Sequence, residues 1–211
     1  MYLSWLGLNC FKIQTKDSVI ITDPFQDQTG LKMPRLQAEL VLVTEPENSQ
    51  FNNIQRLSGE PFIITGPGEY EIKQIFIRGL ADQLNGQPLQ PGFKTLYFFE
   101  IEKIAFGHLG AIDHLLTDTQ LEIFEDVDVL LVPIGGNPSL TAEKAAEVIS
   151  QIEPRIVIPM YYKTPGLKVN LQPLQKFLTV MGIKTPEESS RLKLTRNELP
   201  QDETRTIILK P

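Results

Sequence analysis

Trp5-Leu6-Gly7-Leu8-Asn9-Cys10-Phe11 sets the pattern of the first quarter of this chain, in which short apolar runs are broken by glycine and turn residues. Working outward, Tyr2 precedes it on the same run. Cys10 to Thr15 follows the break, and a Lys16-Asp17 turn leads to Val19 to Thr22. Such runs predict a meander of short strands. Leu40 to Val43 is continuously apolar, as expected of a strand buried on both faces. Further strands are expected at Phe62 to Ile64, Ile72 to Ile77, Thr95 to Ile101 and Ile104 to Leu109, the last two joined by a tight turn at Glu102-Lys103.

The second half alternates helix and strand. Thr117-Asp118-Thr119-Gln120 has the capping-box form and opens a helix carrying Leu121 and Phe124. A buried strand is expected at Val127 to Val132. Thr141 then caps a helix with Ala145, Ile149 and Ile152 on one face, ended by Pro154. Next come a strand at Ile156 to Met160, a helix striped by Leu174, Phe177, Leu178 and Met181 that stops at Gly182, and a last strand at Thr206 to Leu209. Thr44-Glu45-Pro46-Glu47 repeats the capping pattern, and Phe51, Ile54 and Leu57 after it predict another helix stopped by Gly59. Early strands followed by late alternation imply an α+β chain of two sheets with helices outside them.

Composition narrows the function. With 41% hydrophobic and 22% charged residues, the 211-residue chain is of the globular class and long enough to bury a large core unaided. Twenty basic residues against 26 acidic ones give a net charge of −6, with no basic segment to grip a polyanion, so no nucleic-acid partner is expected. Apolar runs such as Val127 to Ile134 are too short to span a bilayer, and Lys12, Lys16 and Asp17 interrupt any leader-like core, so no membrane partner is expected and the location is read as cytoplasmic. The single cysteine, Cys10, excludes an intrachain disulfide. Histidine is the most telling count: His108 and His114 are the only two, and with Cys10 they make three nitrogen or sulfur donors of the kind that close a zinc site.

Several segments together resemble the small prokaryotic branch of metallo-β-lactamase-fold hydrolases. They are Trp5 to Phe11, Asp23-Pro24, Gly66-Pro67-Gly68-Glu69-Tyr70, Pro133-Ile134-Gly135-Gly136 and Pro154 to Met160, in family order over nearly the whole chain. The resemblance implies a four-layer αββα sandwich, two mixed β-sheets flanked by helices, as one domain over residues 1–211. It also implies a zinc site built on a His-x-His-x-Asp-His motif, a further histidine, a bridging aspartate and a last histidine. The aligned positions here are Glu45, Glu47, Ser49 and Gln50, then Leu80 to Gly86 with no histidine, Ala111, and Tyr161.

From those replacements the expected function is a catalytically degenerate member, without cofactor, acting by binding or assembly with itself or another protein. The alternative is a metal-dependent hydrolase in which Asp23, Glu45 and Glu47 hold a divalent ion such as Mn, Mg or Zn and act on a small ester, amide or phosphoester. A third reading is small-ligand binding in the cleft beside Tyr161, Tyr162 and Asn137. Apart from that reading, Tyr161 and Tyr162 are expected to fill the space vacated by the metal ligands, and Gly135-Gly136-Asn137 to form a tight connection rather than an anion site. The cleft is therefore expected to gather Asp23, Glu45, Glu47, Ser49, Gln50, His108, Ala111, Asn137 and Tyr161. His108 is assigned to packing or a hydrogen bond rather than catalysis, despite Asp113 and His114 nearby. Ser139 and Cys10 are structural.

Overall fold

The computed structural model describes residues 1–82 and 92–211. In chain order the strands are β1 (Tyr2–Gly7), β2 (Cys10–Gln14), β3 (Val19–Thr22), β4 (Leu36–Gln37), β5 (Leu40–Leu42), β6 (Leu57–Ser58), β7 (Phe62–Ile64), β8 (Gly68–Ile72), β9 (Ile75–Ala81), β10 (Thr95–Ile101) and β11 (Ile104–His108). Then follow helix α1 (Asp118–Phe124), β12 (Val129–Pro133), α2 (Ala142–Ile152), β13 (Ile156–Met160), α3 (Leu174–Val180), β14 (Glu187–Ser189), β15 (Leu192–Lys193) and β16 (Arg205–Leu209).

Two mixed sheets form. One has the order β15-β1-β2-β3-β5-β7, the other β14-β16-β13-β12-β11-β10-β9-β8, and β4 pairs with β6 alone. In each sheet an antiparallel meander gives way to parallel strands: β3, β5 and β7 in the first, β11, β12, β13 and β16 in the second. The parallel strands read as continuous apolar runs because both faces are covered, and every residue of β5, β12 and β13 is buried. Side chains cross between the sheets. The Tyr97 hydroxyl of β10 lies 3.0 Å from the Val43 carbonyl and 3.2 Å from that of Ile64, and the Phe11 ring of β2 meets the His108 ring of β11 edge-on, centroids 6.3 Å apart. The α+β class and the pair of mixed sheets with helices are as expected.

Local rules explain most elements. At α1 the Gln120 N–H donates to Thr117 Oγ1 and the Thr117 N–H to Gln120 Oε1, the complete capping box. Thr141 caps α2, whose buried face carries Ala145, Val148, Ile149 and Ile152.

Two expectations fail. Residues 72–77 are not one strand, because Lys73 and Gln74 both take positive φ (51° and 62°) and form the two-residue turn of the β8–β9 hairpin. No α-helix follows Thr44: residues 45–53 run as turns, and only Ile54–Arg56 forms a 3-10 turn. The Thr44 hydroxyl is turned to Asp23, to which it donates.

Candidate functional site

The site grows from loops that leave the carboxyl ends of β3, β5, β11 and β13, the usual place for function where parallel strands end together. Asp23, just past β3, is fully buried with φ 39°, a left-handed conformation that its surroundings must enforce. Its Oδ1 accepts the Thr44 N–H at 2.7 Å, and its Oδ2 accepts the Thr44 hydroxyl and His108 Nε2, both at 2.9 Å. One carboxylate thus ties three strand ends together. Because Asp23 accepts, Nε2 of His108 donates, and Nδ1 is buried with no partner among the described residues. His108 is thus hydrogen-bonded within the buried network.

Thr44 holds the next layer. Its carbonyl accepts the Thr95 N–H at 2.8 Å, and Gly110 (φ 58°) packs so close that a Cβ there would lie 2.9 Å from Thr44 Cβ. This seating packs Thr44, the residue before Glu45, against the start of the loop from Gly110 to Leu115. Burial pushes the Glu45 carboxyl above the usual carboxylate range. The Asn48 amide, donating from 3.0 Å, and the Lys94 ammonium pull it back, while the charges of Asp23 and Asp82 raise it. Lys94 Nζ donates to the Ala111 carbonyl at 2.6 Å.

His114 closes the same loop. Its Nε2 lies 2.6 Å from Asp82 Oδ1 and its Nδ1 2.7 Å from the Leu115 carbonyl. Both partners accept, so both ring nitrogens donate and the imidazolium is favoured. The Asp82 hydrogen bond raises the His114 pKa most, burial opposes it, and the Leu115 carbonyl with the charges of Asp82 and Asp113 adds to the rise.

Tyr161, just past β13, has φ 53°, and its N–H donates to the Leu8 carbonyl at 3.1 Å. Burial, helped by the Glu45 charge, pushes its phenol up to about 12, so it stays a protonated donor. Gly135 is required beneath it, since a Cβ at 135 would stand 2.0 Å from the Tyr161 carbonyl oxygen.

The structure sorts the expected cleft residues. Lys94 meets the Ala111 carbonyl, its charge acts on Glu45 and that of Glu45 on Tyr161, while Asp23 and His108 form the buried network. Glu47 is exposed, and its Oε2 would lie 3.3 Å from a Cβ at Gly92. Ser49 is exposed in the same turn, and the Gln50 N–H donates to Asn48 Oδ1. Asn137 is exposed in the tight connection that Gly136 and Ser139 close.

Two corrections follow. Asp23 is no third carboxylate for a metal, because both its oxygens are engaged by Thr44 and His108. Tyr162 does not line the cleft: its ring packs 4.8 Å from Trp5, and its hydroxyl reaches toward the Leu209 carbonyl. Of the Leu80 to Gly86 stretch, residues 83–86 lie outside the described residues. Asp82 and Lys94 escaped the sequence reading. The only local hint of their site was His114, and its partner Asp82 is 32 residues away.

Among the described residues, no three His, Cys, Asp or Glu side chains assemble into a metal-holding group. Nor is any described helix long and apolar enough to cross a membrane.

Comparison with known proteins bears on the same site. A family model described as a β-lactamase superfamily domain matches residues 2–161. A UPF0173 protein of Pyrococcus abyssi is 28% identical over 215 residues, covering 89% of this chain and 98% of its own. A UPF0173 metal-dependent hydrolase of Lysinibacillus sphaericus is 24% identical over 200 residues, covering 78% and 86%. Among solved structures, a Thermotoga maritima protein described provisionally as a Zn-dependent hydrolase of the metallo-β-lactamase superfamily superposes with a TM-score of 0.82. It is 31% identical and covers 99% of this chain and 97% of its own.

These findings overturn two expectations drawn from the sequence: a catalytically degenerate binding or assembly protein, and the absence of a cofactor. The chain matches proteins named metal-dependent hydrolases over most of its length, and the Thermotoga neighbour carries a zinc-dependent description.

Proposed function

Because the chain belongs to the β-lactamase superfamily domain family, with the metallo-β-lactamase fold, we propose that it is a hydrolase of small phosphoester, ester or amide substrates that works with a divalent cation at the Glu45 cleft. The observation that carries this reading is the placement of Glu45. It is a half-buried carboxyl in the loop after β5, accepting from the Asn48 amide and within reach of the charges of Lys94, Asp23 and Asp82.

The donor set decides which ion fits. Glu45 and Glu47 offer carboxylate oxygen and no imidazole or thiolate, which does not suit a zinc cage. They do suit a hard ion such as magnesium or manganese, which keeps several waters and takes only one or two protein carboxylates, its shell completed by substrate oxygen. Glu45 would hold that ion, and the exposed Glu47 is the carboxylate nearest to it in sequence. When bound, the ion supplies charge stabilisation at the substrate oxygen and an acidified water.

The chain's own residues do the rest. The Asp23–Thr44–His108 network fixes the backbone that presents Glu45, so the carboxyl is positioned before substrate arrives. The Tyr161 phenol, which stays protonated, can donate a hydrogen bond to negative charge developing on the substrate.

The test is metal-dependent turnover. With manganese or magnesium the protein is expected to hydrolyse a chromogenic phosphoester, ester or amide, and Glu45→Gln should abolish turnover and weaken manganese binding in equilibrium dialysis. No hydrolysis across such a panel with either ion, by a protein that is folded, sinks the reading.

A further inference from the structure

The two large sheets end in four edge strands, β7 and β15 in one and β8 and β14 in the other. An edge leaves a row of main-chain N–H and C=O groups open to any chain that can pair with it, and charged side chains are the usual guard. Three of the four edges carry that guard: β8 exposes Glu69 and Glu71, β14 exposes Glu187 and Glu188, and β15 exposes Lys193. β7 does not. From Pro61 to Thr65 it has no charged residue, and it exposes Phe62 (51%) and Ile63 (39%).

The parallel ladder decides which groups are open. The Phe62 N–H donates to the Glu39 carbonyl and the Ile64 carbonyl accepts the Val43 N–H, both at 2.9 Å, so the main chain of Phe62 and Ile64 faces β5. Successive residues alternate, so Ile63 turns its N–H and C=O away from the sheet, where neither has a partner among the described residues. The open run is bounded by a bend at Gly59 and Glu60, with φ of 95° and 50°, and by Gly66-Pro67.

We infer that β7 is a self-association edge, pairing antiparallel with β7 of a second copy of this chain about a two-fold axis at Ile63, so that two six-stranded sheets become continuous. The inference stands apart from the hydrolase reading and uses none of its residues. Self-complementarity selects the second copy as occupant. With Ile63 opposite itself, the two residues exchange both N–H···O=C bonds, each Thr65 N–H meets a Pro61 carbonyl across the axis, and Phe62 lies opposite Ile64. Every opposed pair is neutral, and the N–H that Pro61 lacks removes one bond on each side of the axis. The same operation on β8 would set Glu69 against Glu71, a like-charge pair that opposes association. So short a strand buries little, which places the dimer at the weak end of specific interfaces, with a dissociation constant on the order of 10–100 μM.

Sedimentation velocity of the full chain between about 5 and 500 μM tests this, and a monomer passing to a dimer is expected. Ile63→Lys sets like charges face to face at the axis and should raise the dissociation constant by about tenfold or more, whereas Glu71→Lys on β8 should leave it within about twofold. Residues opposed in such a hydrogen-bonded pair have Cα atoms about 5.5 Å apart, within disulfide reach. Cys10, the one cysteine of the chain, is buried. Mild oxidation of Ile63→Cys should therefore give a covalent dimer that Glu71→Cys does not form, and this readout decides the matter if Ile63→Lys fails to fold. A chain that stays monomeric at about 500 μM, a dimer indifferent to Ile63→Lys, or equal cross-linking of the two cysteine variants overturns the proposal.

Discussion

The Asp23 carboxylate and the His108 imidazole meet at 2.9 Å, both fully buried, across 85 residues of sequence and between the two sheets. With Thr44 donating twice to the same carboxylate, this contact makes the ends of β3, β5 and β11 one unit. The loops that carry Glu45 and Ala111 leave from that unit, so it sets where the cleft groups stand.

Asp23→Ala would leave the Thr44 amide, the Thr44 hydroxyl and His108 Nε2 buried without their acceptor. It should lower unfolding free energy by about 3–5 kcal/mol, as for other buried pairs that lose one partner. Urea denaturation checks this, and a loss within the scatter of surface substitutions would mean that the network does not hold the loops.

His114 gives a pH dependence with a definite sign. Its folded pKa is raised above the ordinary value of about 6.5, so the imidazolium contributes stability that is fully present below that value and is lost as pH rises through the raised one. The stability gap between the unsubstituted protein and His114→Gln should be on the order of 1 kcal/mol near about pH 5.5 and close on going to about pH 9. A gap that widens with pH would contradict the Asp82 pairing.

Gly135→Ala places a Cβ 2.0 Å from the Tyr161 carbonyl oxygen, backbone against backbone. It should cost roughly 1–3 kcal/mol and displace Tyr161. The thermal midpoint reports the first, and an altered spectrophotometric titration of the phenol near 12 reports the second.

Thr117→Ala removes one half of the α1 capping box and should cost about 1 kcal/mol without changing manganese binding. Chemical denaturation and equilibrium dialysis against manganese, run side by side, check both halves of that statement.

Thr117 and Thr44 show how far local sequence carries. Both begin a Thr-x-x-Gln or Thr-x-x-Glu pattern, yet only Thr117 caps a helix. Thr44 lies just past a buried strand within reach of Asp23, and its strong hydrogen bond to that carboxylate sets the direction of its side chain. The same limit applies to turns. Glu102-Lys103 was legible between two apolar runs, whereas Lys73-Gln74 was hidden by the alternation on both sides of it.

Sequence by itself determined the strand meander, the helix–strand alternation, the buried parallel strands and the family resemblance, along with the scarcity of imidazole and thiol donors. These follow from side-chain period, local backbone hydrogen bonding and residue counts. Its inference from the missing motif to a degenerate, cofactor-free protein did not survive comparison with relatives named metal-dependent hydrolases. Only the tertiary structure decided that Asp23 is engaged by Thr44 and His108, that His114 holds Asp82, and that Lys94 points to Ala111 with no close carboxylate among the described residues. Each of these contacts spans 17 to 85 residues. Partners at such separations are chosen by which strand ends the two sheets bring together, and no local pattern records that choice.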